Sequence, residues 1–158
     1  MTPDQSLRAH LRKILSWEDA HVGFDAAVKG MAPALRGVAP KGFAHSPWQL
    51  LEHLRRTQRD ILDFCRDPGY KELAWPADYW PPSAAPPTEK AWDESIAAVR
   101  RDRAALEDLA DDSSIDHFAR IPHGTGQTYL RELLLVADHN AYHVGQLVAV
   151  RQSLGAWK

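Results

Sequence analysis

Two histidines four residues apart form the part of this sequence with the most specific chemistry. His139 and His143 stand in the run ADHNAYHVGQ at 137–146, within a segment whose apolar spacing predicts a long helix. Residues four apart project from one face of a helix, so both imidazoles can reach a single metal ion. His53 lies in a second predicted helix and could supply a third ligand. Three neutral imidazoles leave coordination positions open, which is typical of a reactive metal site rather than a structural one.

Four predicted helices must position these histidines. Capping signals precede two of them, TPDQ at residues 2–5 and SPWQ at residues 46–49, each with a proline at the first helical position. The spacing predicts helices from Thr2 to about Lys29, from Ser46 to the break at 67–69, from Thr88 to about Ala110, and from Thr128 to about Leu154. No strand pattern separates them. A chain of 158 residues with this pattern predicts one domain over residues 1–158, an all-α four-helix bundle with a long crossover.

The crossover at residues 68–87 is rich in proline, tryptophan and tyrosine. This composition is too aromatic for a disordered linker, so we expect an ordered connection. Trp75, Tyr79 and Trp80 either wall an entrance to the metal or pack across the end of the bundle, and the second role is favoured.

Further polar residues are candidates for the same site. Glu132 and Gln146 share a helical stripe with the two histidines, so either could orient an imidazole or a bound water, and Glu132 could also transfer a proton. Glu132 could equally be a carboxylate stabilising the first turn of its helix. His21 could be a fourth ligand, a proton carrier or a substrate contact, although an ordinary surface histidine is favoured. The remaining histidines are expected to be solvated: His10, His45, His117 and His123.

Composition and charge argue against several classes of protein. The formal net charge is −2 with both signs interspersed, so we expect neither a nucleic-acid nor a membrane partner. No apolar run is long enough to span a bilayer, and no secretory signal is visible at the first residues. The single cysteine, Cys65, excludes an internal disulfide and fits a reducing cytoplasm.

Two stretches carry a resemblance to a known family. The run YLRELLLVADHNAYHVGQ at 129–146 and the run WQLLEHL at 48–54 resemble the DinB-like superfamily, whose members carry a histidine in the second helix and His-x-x-x-His followed by Gly-Gln in the last. The resemblance spans essentially the whole chain. It implies an up-down-down-up bundle, a divalent metal, most often nickel or zinc, held by His53, His139 and His143, and a homodimer in the bacterial cytoplasm.

The same resemblance suggests what the site does. One option is an enzyme that transfers a low-molecular-weight thiol to a small-molecule electrophile, or a thiol-dependent isomerase, in which the metal binds the thiol as thiolate. A second is metal-dependent hydrolysis, with His21 or Glu132 moving protons. A third is a non-catalytic, metal-binding stress-response bundle. Thiol transfer is favoured by analogy with relatives. The apolar arc and the histidine stripe of the last helix point in different directions, so a homodimer would use helix faces outside the metal stripe.

Overall fold

The computed structural model describes residues 1–157, in which the regular elements are helices. The last residue of the predicted domain, Lys158, lies outside the described residues. Single 3-10 turns occur at Pro33–Leu35 and Ala77–Tyr79, and no strand occurs within residues 1–157. The predicted all-α class is therefore confirmed. The five α-helices are α1 (Pro3–Ile14), α2 (Phe24–Val28), α3 (Pro47–Arg66), α4 (Glu89–Asp111) and α5 (Tyr129–Ser153).

Both predicted capping boxes form, and they fix where α1 and α3 begin. The Thr2 hydroxyl accepts from the backbone N–H of Gln5 at 3.2 Å, and the Gln5 side chain accepts from the Thr2 N–H at 2.9 Å. Ser46 and Gln49 make the same reciprocal pair at the start of α3, at 3.2 and 3.0 Å. Each pair satisfies N–H groups that the first turn of a helix leaves unbonded.

The first helix is much shorter than its apolar spacing predicts. It ends at Ile14 instead of continuing to about Lys29, and α2 begins separately at Phe24. Trp17 and Val22 extend the apolar pattern between the two helices, but they are 42% and 43% exposed. Phe24 is buried with the rest of the apolar face of α2 against the core. Tertiary packing of this short helix thus overrides the local periodicity.

The long helices pack through two clusters of buried apolar residues. Helix α3 contacts α4 and α5, α1 contacts the same two helices, and α2 contacts α5. One cluster joins α2 to the first half of α3 and includes Leu50 and Leu51. The other joins α1 to the second half of α3 and includes Leu62. The seam between α3 and α5 crosses both clusters, and it is this seam that carries the three histidines.

None of the helices within residues 1–157 has both the length and the apolar character that crossing a bilayer requires.

Candidate metal centre

The three predicted ligands converge on one point of the α3–α5 seam. One ring nitrogen from each of His53, His139 and His143 lies within 4.8 Å of the other two. The Nε2 atoms of His53 and His139 are 3.1 Å apart although they come from different helices. His139 and His143 lie one turn apart on α5, with ring centroids separated by 4.4 Å. The four-residue spacing and the packing of α3 against α5 together assemble the group.

Hydrogen bonds on the outer side of two rings fix which nitrogen faces inward. The Nδ1 of His53 lies 3.0 Å from the backbone carbonyl oxygen of Tyr79, an atom that can only accept. The Nδ1 of His143 lies 2.7 Å from Oε1 of Gln146, three residues further along α5. Both rings therefore carry their proton on Nδ1 and turn the Nε2 lone pair toward the centre of the group. An imidazole held in this way by an outer acceptor is the usual state of a metal ligand.

Burial keeps the three imidazoles neutral. His53 is 3% exposed and His143 is 7% exposed, whereas His139 is half-buried. Loss of solvent, followed by the nearby His143 and His53 rings, lowers the pKa of His139 to about 4. Loss of solvent is also the main cause that lowers the pKa of His143 to about 4, and the His53 ring acts in the same direction. Neutral imidazole is the form that binds a metal, so no proton has to be displaced at neutral pH.

The crossover after α3 covers the His53 side of the group. The Trp80 ring stacks on the His53 ring with centroids 3.9 Å apart and planes 3° from parallel. On its other face Trp80 stacks on His45, again at 3.9 Å. Tyr79 is buried, and its hydroxyl donates to Asp60 of α3 at 2.8 Å. Trp80 therefore walls the site, the role that the sequence favoured less, whereas Trp75 is 73% exposed.

Asp60 anchors that crossover to α3. It accepts from Tyr79 and from Tyr70, whose hydroxyl lies 2.9 Å from the carboxylate. Burial raises the pKa of Asp60, and the two phenol donors act in the opposite direction. The pKa of Tyr79 is raised to about 12 by burial and by Asp60, so the phenol keeps its proton and stays a donor. Sequence reasoning missed Asp60 and His45, since nothing in their local pattern shows which part of the crossover folds back on them.

The structure separates the two acid–base candidates from the histidine group. His21 is exposed in the segment between α1 and α2, with Nδ1 2.9 Å from the carbonyl oxygen of Val22. Glu132 is 2% exposed, and its carboxylate accepts from Arg131 at 2.6 Å. Neither belongs to the cluster of possible ligands. Gln146, the other member of the stripe, does orient His143.

The thiol of Cys65 is also outside the site. It is buried, and burial together with the charge of Glu132 raises its pKa to about 12. The group is therefore a poor nucleophile.

Three of the four histidines expected to be solvated are not. His117 is 1% exposed, with Nε2 2.9 Å from the Ala110 carbonyl oxygen and 3.1 Å from Arg8. His123 lies 2.6 Å from the carbonyl oxygen of Phe64, and His45 is half-buried against Trp80. Only His10 of this set is exposed. The expectation was wrong because the connecting segments fold back onto the helices.

The arrangement fits a divalent transition metal. Two nitrogens bound to one ion at about 2.1 Å lie roughly 3.0–3.4 Å apart for angles between square and tetrahedral. The 3.1 Å between His53 Nε2 and His139 Nε2 falls in that range. His53 cannot donate from Nε2, because its Nδ1 carries the proton that Tyr79 accepts. An ion between the two nitrogens would use the lone pair that His53 presents on Nε2. Imidazole ligands suit zinc, nickel, copper and ferrous iron.

Comparison with known proteins identifies the family of the chain. The family model of the DinB superfamily matches residues 16–147. The match covers most of the chain and includes all three histidines. No curated protein and no solved structure matches significantly. The chain belongs to the DinB superfamily.

Proposed function

We propose that this protein is a metal-dependent enzyme that transfers a low-molecular-weight thiol to a small electrophile, with nickel or zinc held by His53, His139 and His143. The observation that carries the metal part is the convergence of three neutral imidazoles from two helices, two of them buried and one half-buried. The choice of thiol transfer over hydrolysis or a non-catalytic role rests on the family resemblance.

Some side chains of this site would bind the ion, and others orient the rings that bind it. His53, His139 and His143 present ring nitrogens, while Tyr79 and Gln146 accept the Nδ1 protons of two of the rings. A divalent ion bound there supplies a Lewis acid that favours the thiolate form of a thiol at neutral pH.

The transfer itself conserves atoms and charge. The thiol loses its proton to solvent, and its sulfur uses the resulting electron pair to form a bond to an electrophilic carbon of the substrate. In a substitution, the group displaced from that carbon leaves with the electrons of its bond. In a thiol-dependent isomerisation, the sulfur adds to one carbon of a double bond, whose π electrons move to the adjoining acceptor group. After rotation about the resulting single bond those electrons return, the carbon–sulfur bond breaks with its electron pair on sulfur, and the thiolate regains a proton from solvent.

Hydrolysis remains the second candidate, and it would need a proton carrier. The positions of His21 and Glu132 give it no support, since each is hydrogen-bonded elsewhere. Both the positions of these two residues and the family resemblance therefore favour thiol transfer over hydrolysis.

We further propose the up-down-down-up order of α1, α3, α4 and α5 in a single domain in the cytoplasm. Contacts between the helices support this order, because residue numbers rise together along α3 and α4 but in opposite senses along α1 and α4 and along α3 and α5. Along α3 and α4 the contacts are Glu52–Ser95 and Gln58–Val99. Along α1 and α4 they are Arg8–Ala110 and Arg12–Glu107, and along α3 and α5 they are His53–His143 and Gln58–Asn140.

Metal analysis of protein purified without a polyhistidine tag tests the proposal. We expect about one divalent ion per chain in the wild type and none in the His139→Ala/His143→Ala variant. A His10→Ala/His21→Ala variant removes two exposed histidines and is the matched control. Absence of metal from the wild type after reconstitution with zinc and nickel would overturn it. If metal binds, transfer of glutathione-type thiols to a chloronitrobenzene separates the thiol transferase from a non-catalytic bundle.

A further inference from the structure

A cavity lies between the helices, and none of the three histidines of the candidate metal centre lines it. It has a volume of about 480 Å³ and opens between the segment joining α1 to α2 and helices α3, α4 and α5. Its floor includes Leu54, Val99 and Val144, which are 1%, 3% and 4% exposed. A volume of this size is typical of small-molecule sites.

Two side-chain amides interrupt the apolar wall. Nδ2 of Asn140 donates to Oε1 of Gln58 at 2.8 Å, and Nε2 of Gln58 donates to the carbonyl oxygen of Val99 at 2.8 Å. Each amide nitrogen has two hydrogens, so one hydrogen on each is left by these bonds. Gln58 is 1% exposed, and both amides line the cavity. The wall therefore offers donors to a ligand that brings an acceptor.

Charges at the mouth disfavour an anionic ligand. The one arginine among the lining residues, Arg103, lies 3.1 Å from Asp25 and 3.9 Å from Glu107, so its charge is already compensated. Glu18 and Asp138 place two carboxylates at the same rim. A negatively charged molecule would meet these carboxylates and then lose its solvation against an apolar floor.

We propose that this cavity binds a neutral, mostly apolar small molecule that carries a carbonyl or similar acceptor, with the acceptor at the Gln58–Asn140 pair. This goes beyond the proposed function and does not rest on it, since no histidine of the metal group lines the cavity. The two sites are nevertheless adjacent. Leu54 and Asn140 directly follow His53 and His139 in the sequence, and Oδ1 of Asn140 lies 3.5 Å from Nδ1 of His139.

Three naphthalenes of equal heavy-atom count test the chemistry by titration calorimetry on the full chain. They are 2-acetylnaphthalene, 2-isopropylnaphthalene and 2-naphthoate, which are respectively a neutral ketone, a hydrocarbon and an anion. We expect the ketone to bind at least about tenfold more tightly than the carboxylate, because burying an unpaired charge is costly. Equal binding of ketone and carboxylate, or no binding of the ketone, would overturn the proposal.

Variants locate the binding in this cavity. Ala141 is exposed at the mouth, so Ala141→Phe fills the entrance without disturbing the floor, and we expect ketone affinity to fall at least about tenfold. Ala97→Phe, on an exposed position of α4 away from the cavity, is the matched control and should bind like the wild type. Loss of binding in both variants, or in neither, would contradict the assignment.

A volume-conserving change tests the amide pair. Gln58→Met removes the donor, and we expect the ratio of ketone to hydrocarbon affinity to fall about fivefold, the value of one neutral hydrogen bond. An unchanged ratio would show that the acceptor is not recognised there. Titrations of chelator-treated protein should still show binding, so a failure of the metal proposal leaves this test intact. If the affinity for the ketone declines as the protein concentration rises, a second copy of the chain competes for the cavity. That result would overturn the proposal.

Discussion

The backbone carbonyl oxygen of Tyr79 lies 3.0 Å from Nδ1 of His53, so the crossover between α3 and α4 orients a ring that α3 carries. The same tyrosine is tied to α3 by its hydroxyl on Asp60 at 2.8 Å. One residue thus contacts α3 twice, at positions seven residues apart. The orientation of His53 depends on how firmly this crossover is held.

Removing the Tyr79 hydroxyl should weaken metal binding. In Tyr79→Phe the ring still packs, but the crossover loses its bond to Asp60 and holds His53 less firmly. We expect metal affinity to fall about tenfold, the lower end for loss of an outer-sphere partner. Competition with a chromophoric chelator for zinc measures this. Tyr70→Phe removes the other donor to Asp60 without touching the His53 acceptor, so an equal loss in both variants would contradict the role of the crossover.

Gln146 should matter through its oxygen and not through its bulk. Gln146→Leu removes the acceptor at 2.7 Å from Nδ1 of His143, and we expect zinc affinity to fall about tenfold. Gln146→Glu keeps an acceptor and should retain most of the affinity. Gln152→Leu, exposed on the same helix, serves as the control. If Gln146→Leu binds zinc like the wild type, then His143 does not need this partner.

The metal-free protein should lose stability as the pH falls from about 6.5 toward 4. Burial lowers the pKa of His139 and His143 to about 4 in the folded state, whereas both titrate near 6.5 when unfolded. The unfolded chain therefore binds more protons across this window, which favours unfolding. After allowance for partial exposure, we expect a loss of about 1–2 kcal/mol between pH 7 and pH 5. Urea denaturation of chelated protein measures it.

A matched variant isolates the histidine contribution to that pH dependence. His139→Gln/His143→Gln removes both titrating groups, so the free energy of unfolding should change less between pH 7 and pH 5. Replacement of the exposed His10 should leave the dependence as it is in the wild type. An identical pH dependence in the double variant would show that other groups are responsible.

We expect the chain to form a homodimer through helix faces away from the histidines. Leu134 projects from α5 and is 44% exposed, so a glutamate there should weaken an apolar contact between copies. Light scattering at micromolar concentration should give a dimer for the wild type and a lighter species for Leu134→Glu. Ala97→Glu on α4 is the control. A monomeric wild type would refute the prediction.

The parts of the fold encoded locally could be predicted from the sequence. Ser46, Pro47 and Gln49 mark the start of α3 with side chains that bond within one turn, and the histidine spacing on α5 needs only helical geometry. The end of α1 could not be predicted in this way. Trp17 and Val22 continue the apolar period, and only the docking of Phe24 into the core shows that the helix has already ended.

The same distinction holds for the site. His139 and His143 are paired by one helix, and Gln146 lies on their stripe, so local spacing finds all three. Trp80 and Asp60 act through a crossover that folds back over α3, and their roles depend on contacts between distant parts of the chain. Glu132 shares the stripe but lies two turns from His139, and its carboxylate accepts a hydrogen bond from Arg131. A position on the same helix face therefore does not by itself place a residue at the site.

The order of the proposed ligands along the chain determines when, during synthesis, the metal site can form. His53 is synthesised early, whereas His139 and His143 emerge 86 and more residues later, with α4 in between. A nascent chain therefore has only His53 from this group until α5 has left the ribosome and docked on α3. The proposed metal site would therefore form only after α5 has docked on α3, and a chain interrupted before α5 would retain the ion poorly.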